Sequence, residues 1–181
     1  MQHLRPISKL DYVDISLYKK RNIFLFESID AESATDLIKE MLALDAEEKS
    51  LIRMFIHSPG GYMSDGFAIL DTMDGLRSPV HTIIVGECCS MATFIALNGT
   101  KRFITKNSYW MGHEMHQWLQ DYYTKLKDRF HYEEDVWAKL MKMYRENTKL
   151  TKEDMEKIRN GELWLNAEQC VQKGIVDKIL K

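Results

Sequence analysis

The sequence is poor in the features that mark membrane, disulfide-bonded and metal-binding proteins. No apolar run approaches the ~20 residues that a membrane-spanning helix needs, and the first residues lack the apolar segment of a signal peptide. The three cysteines are odd in number and two are adjacent, which argues against a disulfide framework. No Cys-x-x-Cys pair occurs, so a structural zinc site is not predicted. We therefore expect a cytoplasmic protein with no membrane partner and no metal.

Signals for nucleotide and nucleic-acid binding are also missing. Neither G-x-G-x-x-G nor G-x-x-x-x-G-K-[S/T] occurs, so the phosphate-binding loops of the common nucleotide folds are not predicted. The 25 basic and 27 acidic residues nearly balance, which excludes the strongly basic surface of a nucleic-acid-binding protein. A chain of 181 residues is long enough to bury a core, and we expect a single domain over residues 1–181.

Short apolar strands alternate with amphipathic helices through the first hundred residues. Strands are predicted at 21–26, 51–56 and 80–85, and helices at 33–44, around 68–76 and at 91–97. Ser33 is the predicted N-cap of the first of these helices. Such alternation is typical of an α/β domain built on a mainly parallel sheet.

The second half of the sequence predicts two short strands and one long helix. The strands are at 101–105 and 108–111, and the helix, free of Pro and Gly, covers 117–147. We interpret its stripe of Trp137, Leu140 and Tyr144 as a packing surface. A helix this long should protrude from a small domain and pack on another subunit, and residues 1–20 are expected to be an N-terminal arm. Shorter helices at 151–159 and 167–173, the latter closed by Gly174, precede a last strand at 175–180.

Ser90 occupies the junction between the strand at 80–85 and the helix at 91–97. The N–H groups at a helix start are unpaired and the helix dipole is positive there, so a developing oxyanion would be stabilised. A serine at this place is also a common N-cap. Ser90 alone leaves both interpretations open.

A nucleophilic serine needs a base, an acid that orients the base, and donors for the oxyanion. His113 follows a short strand and is a candidate base; a metal pair with His116 is a weaker interpretation, since no His-Glu-x-x-His motif completes it. Glu162 lies in a predicted turn at 161–164, whereas Glu87 is too close to Ser90 in sequence to reach the far side of an imidazole.

Two backbone N–H groups are candidate oxyanion donors. Gly61 follows a predicted strand in a Pro-Gly-Gly loop that allows a close approach of the backbone, and Met91 begins the helix after Ser90. The same tripeptide is also common in ordinary tight turns.

Five motifs, in order and over about 14–180, resemble the ClpP family, the proteolytic subunits of Clp proteases. The loop Phe55-Ile-His-Ser-Pro-Gly-Gly61 resembles the family's INSPGG, and Gly86-Glu-Cys-Cys-Ser-Met-Ala92 resembles GxAASMG. The remaining three are a helix after the loop, a segment ending at His113, and a C-terminal stretch: Ala68–Met73, Lys101–His113 and Trp164–Asp177.

The resemblance implies a crotonase-like ClpP-type fold of stacked ββα units, with 117–147 as a protruding handle helix. It implies a serine endopeptidase with Ser90 as nucleophile, His113 as general base and backbone donors at Gly61 and Met91. The third triad position falls on Glu162, where the family has Asp; its Glu-x-Trp setting also resembles ClpP-like proteases encoded by bacteriophages. No cofactor is implied.

The family also implies partners. These are peptide or unfolded protein substrates, further copies of the chain in a homo-oligomer (a heptameric ring or two stacked rings), and a Clp-type ATPase unfoldase. The sequence departs from the family after His113, where Pro and Gly are absent, and at Asn160-Gly161, where the family has an acidic-basic pair.

Three other functions were weighed. A catalytically inactive ClpP-like ring subunit is favoured by the altered handle region and disfavoured by the intact Ser, His and acid set. A crotonase-type acyl-CoA enzyme is disfavoured because such enzymes lack a serine-centred triad. A relative of membrane-associated signal-peptide peptidases would need a lysine base and an anchor, and neither is predicted.

Overall fold

The computed structural model describes residues 9–115 and 122–180, with side chains from Tyr12 onward. Seven strands run through this part of the chain: β1 Asn22–Leu25, β2 Ile52–Ser58, β3 Val80–Cys89, β4 Lys101–Thr105, β5 Tyr109–His113, β6 Glu162–Asn166 and β7 Lys178–Leu180. Seven helices accompany them: α1 Lys9–Lys19, α2 Ala31–Glu47, α3 Met63–Gly75, α4 Met91–Leu97, α5 Tyr123–Asn147, α6 Lys152–Asn160 and α7 Ala167–Gln172. None of these helices has the length and apolar character needed to cross a membrane.

The strands form one sheet that is parallel except at one pairing. The order β1-β2-β3-β4-β7 is parallel throughout, and β5 pairs with β3 in parallel and with β6 antiparallel. The parallel sheet predicted from the alternation of strands and helices is therefore confirmed. The sheet's inner residues and α2, α3 and α4 share one apolar core, which includes Ile23, Met54, Ile84 and Ile95.

Strand β3 is longer than predicted, because Gly86 bends it instead of ending it. Gly86 has a φ of 76°, and between the pairs Ile56/Ile84 and Ser58/Cys88 the register against β2 shifts. Before the bend β3 pairs with β4, and after it Glu87 to Cys89 pair with β5. The bend allows one strand to serve two neighbours and carries the chain directly into Ser90.

The segment around Glu162 is a strand and not the predicted turn. Strand β6 pairs antiparallel with β5 in the register His113/Glu162 to Tyr109/Asn166. Alternate residues Leu163 and Leu165 are buried, whereas Glu162 and Trp164 are exposed. The sequence stretch is short and follows Gly161, so its strand character depends on the partner strand.

Two helix starts differ from their predictions. Asp30, not Ser33, is the N-cap of α2; Ser33 is the third helical residue and completes a capping box by accepting from the Asp30 N–H. The long helix α5 begins at Tyr123 because Tyr122 is extended, and 117–121 lie outside the described residues. Within the predicted N-terminal arm, Lys9–Lys19 form α1. Helix α6 is capped by Thr151 as expected.

Helix α5 divides into an exposed and a packed half. Phe130 and Tyr132 in the N-terminal half are more than half exposed. Val136, Leu140, Met141 and Tyr144 in the C-terminal half are buried in the core. The C-terminal half therefore anchors the helix beside α4, the helix that follows Ser90.

Candidate active site

Ser90 connects β3 to α4 in a conformation that non-glycine residues seldom adopt. Its φ is 53° and its ψ is −127°, a combination that costs about 1–3 kcal/mol and persists where the surroundings hold it. The Ser90 N–H donates to the Met111 carbonyl over 2.9 Å, which ties the turn to β5. Although Ser90 stands at the N-cap position of α4, its side chain makes no capping hydrogen bond. Ser90 therefore occupies the N-cap position, as one interpretation predicted, but its hydroxyl does not cap the helix.

The Pro-Gly-Gly loop lies directly against this turn. A Cβ placed on Gly60 would lie 2.6 Å from the Ser90 Cβ and 2.9 Å from the Met91 nitrogen. Gly60 has a φ of 92°, so both its conformation and its contacts require glycine.

Gly61 forms a short bridge with Ile29. The Ile29 N–H donates to the Gly60 carbonyl, and the Tyr62 N–H donates to the Ile29 carbonyl. The C=O and N–H of one trans peptide group point in opposite directions, so the Gly61 N–H, which shares a peptide group with the Gly60 carbonyl, points away from Ile29. Gly61 and Met91 thus border the same space from two different segments.

His113 and Glu162 face each other across β5 and β6. The Glu114 N–H donates to the Gly161 carbonyl, a bond that flanks the His113/Glu162 pair and makes it a non-hydrogen-bonded pair. In such pairs the Cα atoms are about 4.5 Å apart and the side chains lie on one face of the sheet. His113 is half-buried and Glu162 is exposed.

The Glu162 carboxylate is held by its own strand. Its Oε2 accepts a 2.7 Å hydrogen bond from the indole N–H of Trp164, two residues further along the same face. This contact fixes the position of one oxygen of the Glu162 carboxylate.

One cavity of about 500 Å³ collects four of the five predicted site residues: Gly61, Ser90, Met91 and His113. Glu162 is not among the described residues that line it, and it approaches His113 from the neighbouring strand. The walls are mainly apolar, from Met63, Met91, Phe94, Trp137, Leu140 and Tyr144. Glu114 and Arg129 add charged groups to the lining.

The neighbouring cysteines are protonated at neutral pH. Burial raises the pKa of the Cys89 thiol to about 11, with a further contribution from the negative charges of Glu87 and Glu162. Burial also raises the pKa of Cys88 well above its ordinary value. Thiols of this kind are poor nucleophiles, so Ser90 is the better candidate at this junction.

Sequence reasoning missed part of the cavity wall. Trp137, Leu140 and Tyr144 were interpreted as packing; they do pack, yet they also line the cavity beside Ser90. Their helical spacing identifies a buried face but not what the face covers. The alternative metal pair includes His116, which lies outside the described residues.

The family model described as Clp protease matches residues 8–181 of the chain. The match extends over nearly the whole sequence, and it includes every residue that borders the cavity.

Proposed function

The chain belongs to the Clp protease family, and we propose that it is an active serine endopeptidase with Ser90 as its nucleophile. Family membership confirms the resemblance found in the sequence and the α/β ClpP-type fold. It identifies the chain as a ClpP-like peptidase; the roles of individual residues are our proposal.

The acylation step begins with attack of the Ser90 Oγ on the carbonyl carbon of the scissile peptide bond. His113 accepts the hydroxyl proton as the Oγ–C bond forms, and the carbonyl oxygen becomes an oxyanion. The N–H groups of Gly61 and Met91 donate to that oxyanion. His113 then gives the proton to the amide nitrogen and the C–N bond breaks. The amine product departs, and the acyl group remains on Ser90 as an ester.

Deacylation repeats the sequence with water as the nucleophile. His113 takes a proton from water, hydroxide adds to the ester carbonyl, and the proton returns to the Ser90 Oγ as the acid product departs. Glu162 stabilises the imidazolium that forms in both steps. Its position opposite His113 and its bond to Trp164 support this role.

One observation carries the proposal. Ser90 keeps a rare backbone conformation while its side chain makes no capping bond, and it lines a cavity shared with His113, Gly61 and Met91. A serine that only capped a helix would bond to the first turn of α4 and would not need this conformation.

Labelling with a fluorophosphonate probe tests the nucleophile. We expect the wild type to be labelled and Ser90→Ala to stay unlabelled. Ser64→Ala, which removes an exposed serine on the neighbouring helix α3, is the control and should be labelled like the wild type. A folded and assembled wild type that takes no label would overturn the protease proposal and favour the catalytically inactive ring subunit.

We also propose that the chain assembles into a homo-oligomeric ring, as ClpP family members typically do, heptameric in one ring or in two stacked rings. The exposed aromatic side chains on the N-terminal half of α5 support this, since another subunit would cover them.

Peptides and unfolded proteins are the proposed substrates, with a Clp-type ATPase unfoldase as a partner for folded proteins. We also propose a cytoplasmic location, because the three cysteines are free thiols and the cytoplasm keeps thiols reduced. Cell fractionation would test it.

A further inference from the structure

We propose that Tyr144 and Thr93 form a hydrogen-bond relay that positions Ser90 from the handle helix. The inference rests on the proposed function, because it concerns the same nucleophile. Tyr144 belongs to α5 and Thr93 to the first turn of α4. Tyr144 also lines the cavity, but in this proposal its hydroxyl acts through Thr93, and both are positioning residues.

The direction of the relay follows from counting protons. The Thr93 hydroxyl donates its only proton to the Ser90 carbonyl over 2.5 Å, and the Thr93 N–H donates to the same carbonyl over 3.0 Å. The Thr93 Oγ1 also lies 2.6 Å from the Tyr144 hydroxyl. Because the Thr93 proton is already used, Tyr144 is the donor in this second bond.

The relay restrains the backbone angle ψ of Ser90. The direction of the Ser90 carbonyl defines ψ, and Ser90 holds a ψ of −127° together with a φ of 53°. Two donors on that carbonyl therefore oppose its rotation toward more common conformations. Holding ψ also holds the following Met91 N–H, the proposed oxyanion donor.

Tyr144 is itself rigidly placed. It is 2% exposed, stacks on Phe94 with ring centroids 4.4 Å apart, and meets the edge of Trp110 at 5.6 Å. Burial raises the pKa of the Tyr144 phenol well above its ordinary value, so the hydroxyl remains protonated and able to donate.

The same hydroxyl also lies close to the strand that carries the base. A Cβ placed on Gly112, the residue before His113, would lie 3.2 Å from the Tyr144 oxygen. Tyr144 thus bonds to the turn of Ser90 through Thr93, and its ring packs against Trp110 of β5. A shift of α5 would move both sides of the proposed catalytic pair, which makes the handle helix a positioning element for the site.

Three single variants test the relay in the full-length protein. Tyr144→Phe removes the donor and keeps the ring, Thr93→Val removes both hydroxyl bonds at nearly constant volume, and Thr93→Ser keeps the hydroxyl as a rescue control. We expect kcat for a fluorogenic peptide and the rate of fluorophosphonate labelling to fall about tenfold in the first two, a loss typical of one buried hydrogen bond. KM should change less than about twofold, and Thr93→Ser should stay near wild type.

The double variant Tyr144→Phe/Thr93→Val distinguishes a relay from two separate contacts. In a relay the double variant loses little more than Thr93→Val alone; losses that multiply would overturn the proposal. Variants with a lower melting temperature but wild-type labelling rates would overturn it too, as would Thr93→Ser behaving like Thr93→Val. In each of these cases a labelled wild type leaves the protease proposal standing, whereas an unlabelled wild type removes both.

Discussion

Gly60 packs so closely against the nucleophile turn that a side chain there would clash with it. Its φ of 92° disfavours any side chain, and a Cβ would lie 2.6 Å from the Ser90 Cβ. We expect Gly60→Ala to lower the free energy of unfolding by about 1–3 kcal/mol and to slow fluorophosphonate labelling. Urea unfolding and labelling rates measure the two effects. Gly75→Ala, where an added Cβ meets nothing within 4 Å, is the matched control and should leave labelling unchanged.

Glu162 and Glu87 have different partners on the neighbouring strand β5. Glu162 is paired with His113 across the strands, whereas Glu87 is paired with Tyr109. Glu162→Gln keeps the shape of the side chain and removes its charge, so kcat should fall at least about hundredfold. Glu87→Gln should retain most of the wild-type kcat. Peptidase kinetics on both variants decide the matter, and equal activities would rule Glu162 out as the third member of the triad.

Cys89 precedes the proposed nucleophile, but its chemistry is suppressed by its surroundings. With a pKa of about 11, its thiol is almost wholly protonated at pH 7.5. We expect iodoacetamide to inactivate the enzyme very slowly at that pH and progressively faster toward pH 11. Mass spectrometry of the alkylated protein follows the reaction, with Cys89→Ala as the control. Rapid loss of activity at pH 7.5 with modification of Cys89 would contradict the expected protonation.

At the scale of elements, Asp45 joins the end of α2 to the entry of β3. Its carboxylate accepts from the Ser78 N–H at 2.7 Å and from both the N–H and the guanidinium of Arg77 at 3.0 Å. Burial alone would raise the pKa of Asp45, but hydrogen bonds from Ser78 and Arg77 outweigh it and lower the pKa to about 2. The connection between the two elements therefore depends on the ionised form.

The pH dependence follows from that lowered pKa. In the unfolded chain Asp45 regains its ordinary pKa of 3.8, so its contribution to stability is complete above that value and disappears as the pH falls toward 2. Urea unfolding between pH 6 and pH 2 should show a steeper loss of stability for the wild type than for Asp45→Asn. Parallel curves for the two proteins would show that Asp45 makes no such contribution.

At the scale of the whole molecule, the exposed half of α5 is the feature that a single chain leaves incomplete. Phe130 and Tyr132 are 58% and 55% exposed, and the buried half of the same helix holds Tyr144 beside Ser90. A subunit that packed on the exposed half would therefore also steady the site. Assembly and activity should depend on each other.

Light scattering after gel filtration tests the proposed ring. A heptamer has seven times the 21.3 kDa mass of the chain, and two stacked rings have fourteen times that mass. Phe130→Glu should shift the particle toward smaller species and lower the peptidase activity, whereas Lys127→Glu, on the same half of α5, should do so less. A monomeric wild type at high protein concentration would contradict the ring.

Local sequence signals predicted most elements well. The strand at Lys101–Thr105, the cap of α6 at Thr151 and the end of α7 before Gly174 all depend on residues within a few positions of one another. Such signals are short-range, and the sequence contains them in full. The predicted α/β class was correct for the same reason.

Most of the features that differ from the prediction depend on a distant partner. The sequence predicts a turn where β6 lies, because the pairing of β6 with β5 is long-range. It predicts that β3 ends before Gly86, because a glycine bend within a strand resembles a strand end. The N-cap predicted at Ser33 is a local exception, since Asp30 is the N-cap and Ser33 completes its capping box. Tyr144 packs in the core as predicted, but helical spacing does not reveal its hydroxyl partner on α4.

By itself the sequence determined that Ser90 lies between a strand and a helix, and that the chain belongs among the ClpP-like proteins. Tertiary structure alone decided that Ser90 adopts a φ of 53° without capping α4, and that Glu162 faces His113. It also decided that Tyr144 bonds to Thr93, a residue 51 positions away. The physical reason is that strand register and helix packing bring these groups together, and both are set by burial of the whole core and not by neighbours in sequence.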